Sequence, residues 1–183
     1  MVQAKQGADV RNMAGGLGIT DIYVDTREKP HAIVKILAEF DRRGITVHRQ
    51  ALGEGDYKLS PDARVTIDRK QNLEEVCSNL TWQRDRFQRE LRRCHEQGET
   101  IYILVEHGGL IRTLADVAEW RNPRLKHSPK AVDGPQLYKL MLTYAAMYGV
   151  RWRFCDKRHT GKEIIRLLME ADTDAWKRDR EDC

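Results

Sequence analysis

Residues 55–70 read Gly55-Asp56-Tyr57-Lys58-Leu59-Ser60-Pro61-Asp62-Ala63-Arg64-Val65-Thr66-Ile67-Asp68-Arg69-Lys70. In the first run Tyr57 and Leu59 share one face while Asp56 and Lys58 share the other. In the second, Val65 and Ile67 point one way and Thr66, Asp68 and Lys70 the other, the period of a β-strand. Ser60-Pro61-Asp62 between them is a turn signal. A hairpin centred on Asp62 sets Asp56 opposite Asp68, with Cβ atoms roughly 4.5–5.5 Å apart. Two like charges at that distance repel unless a divalent cation sits between them. Lys70, on the Asp68 face, is then placed to hold a water or a phosphate. A hard cation such as magnesium prefers carboxylate oxygens, polarises a phosphodiester and lowers the pKa of a bound water. An isolated Asp-x-Lys also occurs on solvated hairpins, so the rest of the chain has to decide between the two readings.

Outward from the hairpin, residues 21–25 form a short apolar strand. Pro30 opens a helix to about Arg43, with Ile33, Ile36, Leu37 and Phe40 on its apolar face and Gly44 at its end. A second strand spans about 45–51. Beyond the hairpin, a short helix starts near Asn72 and buries Leu73 and Val76. A longer one runs from after Thr81 to about Glu96 and buries Phe87, Leu91 and Cys94 at helical spacing. Residues 100–106 are apolar on both faces and belong inside a sheet. Residues 107–132 are irregular apart from a short helix at 113–120. A helix at about 135–148, a strand at 150–154 and a final helix complete the order. Thr160 and Glu163 are spaced for a capping box on that last helix. This order predicts an α/β fold: a restriction-endonuclease-like mixed central β-sheet flanked by helices. One domain over residues 20–172 lies between a flexible N-terminal tail, 1–19, and a charged C-terminal tail, 173–183.

The chain has 183 residues, 33% of them charged, and a net charge of +4. That balance permits a nucleic-acid partner without requiring one. No apolar run reaches membrane-spanning length, and residues 1–18 lack the apolar core of a secretory signal, so no membrane partner is expected. Four cysteines (Cys77, Cys94, Cys155 and Cys183) show no CxxC spacing. They read as free thiols of an intracellular protein, cytoplasmic or associated with the nucleoid or nucleus. The histidines lack zinc-ligand spacing. Gly15-Gly16-Leu17-Gly18 precedes a strand, and Gly161-Lys162 lacks the upstream glycine of a phosphate loop, so no nucleotide cofactor is expected.

Several motifs recur in order around the hairpin: Val24-Asp25-Thr26-Arg27-Glu28, Gly55-Asp56, Asp68-Arg69-Lys70 with Glu74 four residues on, Arg86-Phe87-x-x-Glu90-Leu91, and an apolar strand ending in Glu106. This series resembles the nuclease domain of the XPF-type structure-specific DNA endonucleases, within the PD-(D/E)XK superfamily, from about Asp21 to Met169. The resemblance implies metal-binding carboxylates at Asp25, Asp56 and Asp68 and a catalytic lysine at Lys70. It also implies further active-site positions at Arg27, Glu28, Arg69 and Glu74, and a magnesium or manganese cofactor. Asp68 stands where the family usually has Glu, and Glu74 where it usually has Asp. The helix-hairpin-helix domain that the family usually carries has no counterpart in these residues, so the resemblance is to a stand-alone nuclease domain.

The activity so implied is hydrolysis of branched, flapped or forked DNA. The alternatives are a non-catalytic DNA-binding partner, as in the family's inactive paralogues, and another PD-(D/E)XK enzyme such as a junction resolvase. Inactive paralogues tend to lose the acids and the lysine, which are present here. DNA contacts are expected from Arg84, Arg86, Arg89 and Arg93 on the long helix and from Arg121, Arg124, Lys126 and Lys130 on the basic loop. A homodimer is expected through 135–154, with Leu137, Leu140, Met141, Tyr144 and Met147 as its apolar surface.

Overall fold

The computed structural model describes residues 18–181, and side chains as far as Glu170. The expected tail at 1–19 therefore lies almost wholly outside the described residues. Six strands, β1 (Asp21–Asp25), β2 (Thr46–Gln50), β3 (Tyr57–Lys58), β4 (Val65–Lys70), β5 (Thr100–Glu106) and β6 (Arg151–Cys155), form one mixed sheet in the order β2-β1-β3-β4-β5-β6. β1 pairs parallel with β2, and β4, β5 and β6 pair parallel with one another. The two-residue β3 runs antiparallel to both β1 and β4. The carboxyl ends of the other five strands therefore share one rim, where open α/β sheets place their ligands.

Helices cover both faces. α1 (Val34–Arg42) and α5 (Thr160–Glu181) lie on one side, burying Ile36, Phe40, Ile164 and Leu168 against Ile22, Val24, Tyr57 and Ile67. α2 (Leu73–Leu80), α3 (Arg84–Glu96) and α4 (Gly134–Tyr148) lie on the other, burying Leu73, Phe87, Leu91, Leu137 and Met141 against Ile101, Ile103 and Val105. This is the expected α/β sheet. Phe87, Leu91 and Cys94 are the buried stripe of α3, and Asn72 caps α2 by accepting from the Glu75 amide at 2.8 Å.

Two local expectations change, a helix cap and the exposure of the apolar residues on α4. The capping box at the start of α5 is not made: Thr160 is buried and donates its hydroxyl to Glu106 at 2.8 Å, while Glu163 pairs with Arg166. α5 itself continues through residue 173 to Glu181, so the charged C-terminal stretch is helical as far as the described residues run. On α4, Leu137, Met141 and Tyr144 lie in the protein's own core and Leu140 packs against it, leaving Met147 and Leu142 exposed. Leu137, Met141 and Tyr144 thus belong to the core that α2, α3 and β6 share with α4.

Candidate active site

The site grows from the register of three strands. Tyr57 faces Ile67, so the next pair out is Asp56 and Asp68. Val24 faces Tyr57, so the same step sets Asp25 beside Asp56, where the Asp25 amide donates to the Asp56 carbonyl at 2.8 Å. Asp25, Asp56 and Asp68 thus stand in one row at the carboxyl rim, although they lie far apart in the chain. Gly55 makes the row possible. Its φ is +69°, and a Cβ there would lie 2.1 Å from Thr66 Oγ1. Only glycine brings this loop so close to β4.

The carboxylates of the row have different partners. Asp25 is buried and saturated with donors: the Arg27 amide and Nε at 2.7 Å, Arg27 Nη2 at 3.1 Å and the Leu52 amide at 2.7 Å. Burial pushes its pKa up, and these bonds outweigh burial and hold it below the usual aspartate value. Asp56 accepts one bond, from the Arg69 amide at 2.8 Å. The protein mass around it strips its carboxyl of water and the Asp68 charge repels it, so its pKa rises well above the ordinary value. Asp68 is buried and meets Lys70 Nζ at 2.7–2.8 Å. Its Oδ2 lies within ion-pair distance of that ammonium but accepts no hydrogen bond. Burial lowers the Lys70 pKa, but Asp68 and Asp56 raise it more, so the lysine is held as a cation. The Phe87 ring lies 5.3 Å beneath the ammonium.

Glu90, which stands in the Arg86-Phe87-x-x-Glu90-Leu91 motif with no role assigned to it, lies close enough to the site to sense it. It is half-buried, three residues beyond Phe87 on α3. Burial and then the Asp68 charge raise its pKa. The signal was its spacing: a residue three along from one under Lys70 faces the same way. Arg27 bonds Asp25 and the Leu52 carbonyl, and the hydrogen bond to Asp25, then the charges of Asp25, Asp56 and Glu90, raise its pKa.

The remaining expected positions divide. Arg69 points to the opposite face, where its Nε and Nη2 bind the Glu28 carboxylate at 2.6 and 2.8 Å and its Nη1 lies 3.2 Å from Glu106. Tyr57 adds a hydroxyl bond to Glu28 at 3.2 Å. Glu28 and Arg69 therefore brace the strands behind the site. Glu74 is exposed on α2, and the charges it acts on are His107 and Cys77. Its neighbour Glu75 is the helix acid that Lys70 feels.

The expected cation ligands fit in part. Asp56 and Asp68 are opposed hard-oxygen donors, and Asp56 accepts only the Arg69 amide, which suits magnesium or manganese. Asp25 shares their row, but its oxygens are committed to Arg27 and Leu52. Among the described residues, no three His, Cys, Asp or Glu side chains converge closely enough to form a metal cluster.

The expected DNA contacts lie outside this core. Arg84, Arg86 and Arg89 are exposed on α3, while Arg93 reaches back to Glu54. Arg121, Arg124, Lys126 and Lys130 are exposed on the segment after β5, which forms a short 3-10 turn at Pro123–Lys126. Asn122 anchors that segment, donating to the Val132 carbonyl at 2.8 Å and accepting from the Arg124 amide at 3.0 Å.

Residues 24–168 match the ERCC4 domain family. No curated protein matches the chain. Among solved structures, it is similar to XPF from Aeropyrum pernix at 22% identity and a TM-score of 0.57, covering 88% of this chain and 69% of that one. It is also similar to XPF from Aeropyrum pernix in complex with DNA, at 23% identity and a TM-score of 0.59, covering 85% of this chain and 66% of that one.

Proposed function

The chain belongs to the ERCC4 domain family, a family of nucleases, and from that premise we propose that it is a divalent-metal-dependent endonuclease hydrolysing phosphodiester bonds in branched, flapped or forked DNA. The observation that carries this reading is the opposed pair of Asp56 and Asp68 with Lys70 at hydrogen-bond distance. These two aspartates would hold magnesium or manganese, and Asp25 would join them on release from Arg27. A bound ion of this kind supplies charge stabilisation at the phosphodiester and a more acidic water. Lys70 then orients the nucleophile or steadies the charge that develops on the phosphate. Arg27, paired with Asp25 and largely exposed, takes the phosphate when it leaves Asp25. DNA recognition in the complex with Aeropyrum pernix XPF supports DNA as the partner here.

One observation favours a second reading. With Asp25 saturated by Arg27 and Lys70 locked to Asp68, the chain also suits a DNA-binding partner that does not cut. Incubation with fork, flap, junction and single-stranded DNA separates the two. The endonuclease nicks near the branch with magnesium or manganese, stops with EDTA, and is inactive as Asp68→Asn. Binding with no cleavage under any metal establishes the partner role.

A further inference from the structure

Trp82 lies in the turn between α2 and α3 with 83% of its surface exposed. Among the described residues it is the one aromatic side chain among the exposed large apolar groups. A singly exposed apolar side chain is ordinary, so what this indole can do is decided by its neighbours. Its turn is braced. The Gln83 amide donates to the Ser78 carbonyl at 3.0 Å, the Arg84 amide to the Thr81 carbonyl at 3.3 Å, and the Thr81 hydroxyl to the Cys77 carbonyl at 2.7 Å. The ring is therefore presented on a fixed base.

Its place is set by α3. Phe87 lies under Lys70, and Trp82 is five residues nearer the amino end. α3 runs back toward the amino end of β5, so its own amino end and the turn that carries Trp82 lie toward the carboxyl rim where Lys70 stands. Between the two lie Arg84, 62% exposed at its side chain, and Arg86, whose Nη2 is held by Gln83 at 2.9 Å. Arg89 is exposed one turn further on. An aromatic plane beside cationic groups is the arrangement that binds an unpaired nucleotide: base on the ring, phosphates on the arginines. Paired bases inside a duplex have no free face to offer.

We propose that Trp82 stacks on an unpaired DNA base next to the cleavage centre and so registers the branch from which the cut is placed. The proposal rests on the DNA-cleaving reading above, and goes beyond it by assigning the recognition of unpaired DNA to one side chain. The full chain is tested in EDTA, where nothing is cut, on a fork with 2-aminopurine at its first unpaired position and on a matched duplex. The wild type quenches the 2-aminopurine, and Trp82→Phe keeps the quench. Trp82→Ala abolishes it and weakens fork binding about tenfold, with duplex binding within about twofold. A quench unchanged in Trp82→Ala, or equal losses on fork and duplex, overturns the proposal. So does a wild type that sediments as a dimer while Trp82→Ala sediments as a monomer, because the ring then packs on a second copy of the chain. Cleavage is scored separately with magnesium. Stacking without cleavage removes the nuclease reading alone, and cleavage at an unmoved position in Trp82→Ala removes this one alone.

Discussion

Arg69 and Lys70 are neighbours on β4 and both end in buried ion pairs, yet the two faces they serve are opposites. Behind the sheet, Arg69 bridges Glu28 and Glu106, and the hydroxyls of Tyr57 and Thr160 donate to the same two acids. Each of these carboxylates has a fixed hydrogen-bond donor. In front, Lys70 is committed to Asp68 while Asp56 and Glu90 stand close by with raised pKa values. The rear network shares one guanidinium between two acids, gives each acid a hydroxyl donor as well, and ties β4 to β5, α5 and the loop after β1. The front sets three acids, Asp56, Asp68 and Glu90, about one ammonium, and among the described residues no hydroxyl donates to any of them. Charged motif residues thus divide by strand parity into those that hold the sheet and those poised for chemistry.

The comparison breaks if the two faces respond alike. The largest expected effect is on activity. Asp68→Asn should cut cleavage on the order of a thousandfold, about 4 kcal/mol of barrier, in a single-turnover assay. Arg69→Met should act on folding instead. It leaves Glu28 and Glu106 buried without their cation and costs about 3–5 kcal/mol in urea denaturation. If Arg69→Met melts like the wild type, the rear network is no brace.

Asp56 sharpens the contrast through pH. Its folded pKa is raised, so its ionisation opposes folding. The penalty is absent below the ordinary aspartate pKa, grows as pH rises through the folded value, and is complete above it. Without metal, Asp56→Asn should therefore melt higher than the wild type at neutral pH, with the gain vanishing below about pH 4. Magnesium should raise the wild-type melting point and leave Asp56→Asn unmoved. The smallest expected change concerns the basic segment. Arg124→Ala combined with Lys126→Ala should flatten the plot of log affinity against log salt by about 2, alike on all DNA. An unchanged slope moves the phosphate contacts to Arg84, Arg86 and Arg89.

The sheet and its helices were legible because period-two and period-3.6 patterns speak directly of burial. Ile101 to Val105 read as an interior strand, and Phe87, Leu91 and Cys94 as the buried stripe of α3, as the structure has them. The opposition of Asp56 and Asp68 followed from hairpin register, although β3 is shorter than its alternation suggested. What sequence did not reveal were the partners of side chains across elements. That Arg27 folds back on Asp25 depends on the Leu52 loop approaching from another part of the chain. Glu90 stood in a recognised motif without a role, because the charge it faces, Asp68, belongs to another element. Thr160 followed the capping rule in spacing, but a buried Glu106 offered its hydroxyl a better acceptor.

Gly55 carries a consequence for natural variation. Its exchange for alanine adds one methyl group, changes no charge, and leaves Asp56, Asp68 and Lys70 in the sequence. The methyl would meet Thr66 Oγ1 and force the loop off β4, carrying Asp56 with it. A homologue that keeps the acids and the lysine but has lost this glycine should thus be counted as silent, even though a motif search would score it as intact.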